Sequence, residues 1–243
     1  MELSRIDVPS GRMTAALAAP RDEGRRPALI VIHEIAGLNH HVRTKAQRLA
    51  DMGYVALAPD LYSTRGPRPI CVVRTMFGLQ GGKGPVFKDL DVLRTWLSRR
   101  PEVDSSRIGV VGFCLGGGIA LLFAARAELG AAAVFYGSVP KNADAIEDVC
   151  PVLGSFGGRD KVFGKGGQRL ESHLTALQKP HDVKTYPDAG HSFMTDRGQG
   201  GLLNKLNAWG PMKVGYNAEA AEDSWQRIET FFAEHLGAES PAS

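Results

Sequence analysis

The chain has 243 residues, 29 basic against 26 acidic, and a net charge of +3. That length suits one α/β sheet domain over 1–243, and no block of like charges points to a nucleic-acid or membrane-surface partner. The N-terminus lacks a basic segment followed by an apolar one, and no run approaches the ~20 apolar residues that span a bilayer. Three cysteines, Cys71, Cys114 and Cys150, leave an odd count with no C-x-x-C pair, so the expected setting is the reducing cytoplasm.

The first residues read as a short extension ahead of a core over about 25–236, with another short extension after it. Residues 28–33, Ala-Leu-Ile-Val-Ile-His, form a continuous apolar run, the pattern of a strand covered on both faces. Residues 42–51 have helical spacing, with Val42, Ala46, Leu49 and Ala50 on one stripe, and Met52-Gly53 closes the helix before a second buried strand over 54–58. A helix over 86–98 leads to a strand over 107–111 and then to a helix over 115–127. Strands over 131–136, 152–156 and 182–186 follow, with helices over 168–178 and 218–236. Alternating strands and helices predict a doubly wound, mostly parallel sheet with helices on both faces and reactive loops at the carboxyl ends of its strands. Two stretches escape the alternation: residues 62–85, rich in Gly and Pro, and residues 194–215, with five glycines. Both read as long loops that border a site.

Residues 108–118, Ile-Gly-Val-Val-Gly-Phe-Cys-Leu-Gly-Gly-Gly, set Cys114 in a G-x-C-x-G turn directly after a β-branched run. A strand that turns abruptly into a helix lifts one side chain above the sheet edge, and the small residues Gly112 and Gly116 let the backbone crowd there. The helix N-terminus favours a thiolate and a developing oxyanion. The rival is a phosphate cradle, but this turn lacks G-x-G-x-x-G and the chain lacks Gly-Lys-Ser/Thr.

A nucleophile needs a base, and the base an orienting carboxylate. Asp160 follows the strand ending at Phe156, and His191 lies in the loop after the strand ending near Tyr186. The order Cys114, Asp160, His191 is that of nucleophile, acid and histidine. Asp188 competes for the acid's role, and Asp160 read alone could simply cap a turn. His40 and His41 are adjacent rather than spaced to converge on a metal, and H-E-x-x-H is absent. No metal and no organic cofactor is expected.

Five blocks carry a resemblance: His-Glu-Ile-Ala-Gly-Leu at 33–38, Ala-Pro-Asp-Leu-Tyr at 58–62, Gly-Phe-Cys-Leu-Gly-Gly at 112–117, Gly-Gly-Arg-Asp at 157–160 and Ala-Gly-His-Ser-Phe at 189–193. With them the chain resembles the dienelactone hydrolase family of the α/β-hydrolase superfamily. The resemblance implies an α/β-hydrolase fold in which Cys114 attacks an ester or lactone carbonyl and His191, oriented by Asp160, moves the proton. It also implies that Glu34 pairs with the resting thiol and that the backbone N–H groups of Leu115 and Ile35 form the oxyanion hole. In the family an arginine four residues after the catalytic histidine grips the substrate carboxylate; here that position is Thr195. Tyr62, Arg74, Phe77, Phe113, Phe193 and Arg197 are expected in the substrate pocket because they sit in or beside strand-end loops. Residues 196–217 form either a lid or a structural insertion.

The expected activity is therefore cleavage of a small ester or lactone by a monomer or homodimer. Acyl transfer or thioester chemistry is the rival within enzymes. A non-catalytic module that binds a small molecule is the rival from another class.

Overall fold

The computed structural model describes residues 1–21, 24–64, 84–197 and 209–237. Its framework is one eight-stranded sheet with the order β1-β2-β4-β3-β5-β6-β7-β8. The strands are β1 (Glu2–Val8), β2 (Gly11–Ala18), β3 (Arg26–Ile32), β4 (Val55–Pro59), β5 (Val103–Phe113), β6 (Ala132–Phe135), β7 (Val152–Gly157) and β8 (His181–Tyr186). The helices are α1 (His40–Asp51), α2 (Pro85–Ser98), α3 (Leu115–Ala124), α4 (Lys165–Ala176) and α5 (Ala218–Leu236). From β4 onward across the sheet all pairings are parallel, whereas β1–β2 and β2–β4 are antiparallel.

The apolar run of β3 has no polar face because both of its faces are covered. Ala28, Ile30 and Ile32 enter the core layer shared with α2, α3 and α4, while Leu29 and Val31 enter the layer shared with α1 and α5. Helix α1 starts at Asn39, whose side chain accepts a hydrogen bond from the Val42 N–H at 3.2 Å, and it buries Val42, Lys45, Ala46, Leu49 and Ala50. One member of that buried stripe is a lysine. Helix α5 starts at Asn217, which accepts from the Ala220 N–H, and stops at Gly237 in the left-handed region.

The N-terminal residues correct the expectation of an extension outside the core. β1 and β2 form an antiparallel hairpin that continues the sheet, and Met13, Ala15 and Ala16 have no exposed surface. Ala16 and Ala18 lie opposite Ala58 and Ala56 of β4, so small side chains let the two strands share a crowded interior. The hairpin turn is tied to α2 by Asp89, which accepts from the Ser10 hydroxyl at 2.7 Å and the Ser10 N–H at 3.1 Å. Among the described residues no helix is long and apolar enough to cross a membrane. Cys71 and residues 65–83 of the Gly- and Pro-rich stretch lie outside the described residues.

Candidate active site

β5 runs directly into Cys114 and then α3. Cys114 has φ 55° and ψ −116°, a backbone conformation that costs an L-residue roughly 1–3 kcal/mol. Packing sustains that strain. A Cβ at Gly112 would collide with the Gly116 carbonyl, and one at Gly116 would collide with the carbonyls of Ile32 and His33. The two glycines therefore let the start of α3 lie against the end of β3, which brings the backbone of Leu115 into the neighbourhood of residues 33–35. Leu115 opens the helix, so its N–H has no carbonyl four residues back within α3.

His191 Nε2 lies 3.0 Å from Cys114 Sγ, and His191 Nδ1 lies 2.7 Å from Asp160 Oδ2. Asp160 serves its turn as well: its Oδ1 accepts from the N–H groups of Val162 and Phe163 at 2.9 and 3.0 Å. One carboxylate oxygen thus faces the turn and the other faces His191. Asp188 is exposed at the tip of its loop, while Asp160 is 2 % exposed. The His191 backbone is pinned by the segment ahead of α5, with its N–H donating to Met212 and its carbonyl accepting from Gly215. The ring is flanked by Tyr136 at 5.2 Å and Phe163 at 5.1 Å. Burial disfavours the charged ring, but the hydrogen bonds and charges of Asp160 and Cys114 outweigh it and hold the His191 pKa up at about 9.

Glu34 stands just past the end of β3, buried at 3 % exposure. Its Oε1 accepts from Tyr136 Oη at 3.1 Å and Thr195 Oγ1 at 2.9 Å, and its Oε2 pairs with Arg197 Nη2 at 2.6 Å. The pairing with the resting thiol implied by the resemblance is thus replaced: the sulfur faces His191, and both carboxylate oxygens face other donors. Burial raises the Glu34 pKa, but Lys45, Arg197 and Thr195 together bring it below its ordinary value. His33 fixes this strand end, since its Nδ1 lies 2.7 Å from the Glu34 carbonyl and its Nε2 accepts from the Leu61 N–H at 3.1 Å. Those partners require the tautomer with its proton on Nδ1.

Lys45 was not legible as a site residue. Its Nζ donates to Thr195 Oγ1 at 2.8 Å and sits 4.9 Å from the centre of the Phe113 ring. Where the resemblance expects an arginine at 195, a threonine stands, and a cation reaches it from α1. The available signal was spacing: Lys45 lies three residues after Val42 and four before Leu49, inside the apolar stripe. Tyr136 was also missed; it carries a positive φ of 42° at the end of β6 and has no exposed surface.

The expected pocket residues divide. Phe113 and Phe193 are corrected: both are fully buried, Phe113 stacked on Phe135 and Phe193 packed between Tyr136 and Tyr186. Both rings point into the core, Phe113 from the end of β5 and Phe193 from the loop after β8. Tyr62 is 4 % exposed, with its ring 4.8 Å from His33. Arg197 is at the site but bonded to Glu34. Arg74, Phe77 and residues 198–208 of the loop after His191 lie outside the described residues. Among the described residues there is no group of three or more His, Cys, Asp or Glu side chains arranged to hold a metal.

Comparison with known proteins places this geometry among relatives. The model of the "dienelactone hydrolase family" matches residues 13–236. The "Putative carboxymethylenebutenolidase" of Salmonella typhimurium is 34% identical over 242 residues, covering 93% of this chain and 84% of that protein. The protein of the same description from Escherichia coli K12 is 34% identical, covering 94% and 84%. Among solved structures, a dienelactone hydrolase-like promiscuous phosphotriesterase from metagenomic libraries superimposes with a TM-score of 0.79 at 26% identity, covering 97% of this chain and 99% of that one.

Proposed function

Because the chain belongs to the dienelactone hydrolase family and is a hydrolase of carboxylic esters or lactones, we propose that it works through Cys114 as a thiolate nucleophile on a small ester or lactone. The observation that carries this reading is the continuous chain from Cys114 Sγ through the His191 ring to Asp160 Oδ2. The thiol proton rests on His191 Nε2, Asp160 holds the imidazolium, and the thiolate adds to the carbonyl carbon. The tetrahedral oxyanion is received by the backbone N–H groups of Leu115 and Ile35. When the carbonyl re-forms, the C–O bond to the alcohol breaks and the imidazolium protonates the departing oxygen. A thioester remains on Cys114. Water then gives a proton to His191 and adds to the thioester, and expulsion of the thiolate releases the acid.

Ile35 is half exposed, whereas its neighbour Glu34 is buried.

Intact-protein mass spectrometry after brief mixing with p-nitrophenyl acetate or with a dienelactone tests the mechanism. Wild-type protein is expected to gain one acyl mass, and Cys114→Ala to gain none. An adduct of equal yield in both proteins overturns the assignment of the nucleophile. Saturable binding of both compounds without adduct or product would instead favour a binding module.

A further inference from the structure

We propose that Lys45 is a positioning residue for this hydrolysis: acting through the Thr195 hydroxyl, it keeps Glu34 ionised and turned toward Tyr136 and Arg197, which leaves the thiol proton to His191. The inference rests on the reading of Cys114 as nucleophile and deepens it.

Lys45 occupies a position where the packing of α1 calls for an apolar side chain. A buried ammonium there is costly unless something nearby returns the loss. What it meets is a hydroxyl with a single proton. Because Lys45 Nζ donates into Thr195 Oγ1 at 2.8 Å, that oxygen is engaged as an acceptor, and its own proton is directed to Glu34 Oε1 at 2.9 Å. The ammonium thereby polarises the hydroxyl toward the carboxylate. Glu34 Oε1 also accepts from Tyr136, and Oε2 accepts from Arg197, so donors face both oxygens. A proton on Glu34 would have to displace one of them. His191 has no such obstacle, since its Nε2 already faces the sulfur.

Arg197 alone would be a weaker hold. Its side chain is 31% exposed, so water and salt screen its charge, whereas Lys45 is 5 % exposed and acts through the interior. Among the described residues the charged neighbours can be named. Glu34 is faced by Lys45 and His41 from α1, by Arg197 and Thr195 from the loop after β8, and by Tyr136 from the end of β6. Lys45 feels Glu34 and Arg197, and it lines a cleft of about 380 Å³ with His40, His41, Arg48 and Asp196. The Lys45 pKa is lowered to about 8, by burial first and against the attraction of Glu34, so the ammonium is present through neutral pH.

The test reads Glu34 directly in resting enzyme. Carboxyl-labelled glutamate is incorporated and followed by carbon-13 NMR against pH, with Glu34→Gln identifying the resonance, in wild type, Lys45→Met, Lys45→Arg and Thr195→Val. Wild type and Lys45→Arg are expected to titrate below the ordinary 4.5. Lys45→Met and Thr195→Val are expected to titrate higher by about one pH unit, with the acid limb of kcat/KM for p-nitrophenyl acetate rising in parallel. An unmoved Glu34 titration in both variants overturns the proposal. So does a moved titration without a moved kinetic limb, because the charge that Lys45 maintains on Glu34 would then have no bearing on the hydrolysis. If Lys45→Met does not fold, Thr195→Val decides. The titration needs no turnover, so its outcome is separate from that of the acyl-adduct experiment.

Discussion

The two carboxylates of the centre are both buried and both hydrogen-bonded, yet they are held for opposite ends. Asp160 gives one oxygen to backbone N–H groups of its own turn and the other to a ring that can gain or lose a proton. Glu34 gives both oxygens to three donors: a phenol, a hydroxyl and a guanidinium. The first arrangement transmits a proton movement, and the second resists one. In the proposed mechanism the Cys114 thiol, which faces His191, sends its proton to the arm that can accept it. The lesson concerns partners: a carboxylate's role follows from whether the group it touches can change charge.

The largest effect should come from weakening the transmitting arm. Asp160→Asn leaves the turn but removes the charge behind His191, and kcat/KM is expected to fall about a thousandfold. The same change lets the His191 pKa drop from about 9 toward its ordinary 6.5, because the groups holding it up are Asp160 and Cys114. The sign follows directly. In wild type the imidazolium that protonates the leaving oxygen persists until pH rises through about 9, so the alkaline limb of kcat/KM should lie there and should move to lower pH in Asp160→Asn. A limb that stays in place would separate Asp160 from the proton transfer.

A smaller effect is expected from the resisting arm. Glu34→Gln keeps the size but not the charge, and a loss of about ten- to a hundredfold in kcat/KM is expected, with the alkaline limb unmoved. A shift of that limb would show that the two arms are electrostatically coupled. The smallest effect belongs to the exposed competitor. Asp188→Asn should change kcat/KM by less than about twofold, and a loss comparable to that of Asp160→Asn would reassign the acid.

The transmitting arm was legible in the sequence because each of its members closes a local pattern: an apolar run, a turn and one reactive residue at a strand end. The resisting arm was only half legible. Glu34 has the same kind of address, but Lys45, Tyr136 and Thr195 reach it from α1, β6 and the loop after β8, and no local pattern announces such a meeting. Lysine inside a helix reads as a solvent-facing residue, and only its place in the apolar stripe contradicted that. The parallel core was readable from its unbroken apolar strands. The hairpin was not, since half of Met13–Ala18 is alanine, which has weak strand preference until the Ala56 and Ala58 surface of β4 calls for small side chains. Phe113 and Phe193 misled because nearness along the chain to a catalytic residue says nothing about which way a ring points.

The order of strands carries a last consequence, for how the protein acquires its chemistry. β5, β6, β7 and β8 are neighbours in space in the same succession as in the chain, so each pairing closes a short crossover. β3 must find β5 across the whole of α1, β4 and α2, a more distant closure with a larger entropic cost. Cys114, Asp160 and His191 all belong to the first group, whereas Glu34 and Lys45 belong to the second. During refolding we therefore expect the thiol and imidazole to meet before the carboxylate clamp closes, leaving an interval in which a reactive sulfur exists without its finished surroundings. Pulsed alkylation of Cys114 along the refolding course reads that interval: a burst of labelling that subsides as the native sheet completes supports this order, and a steady rise to the native rate refutes it.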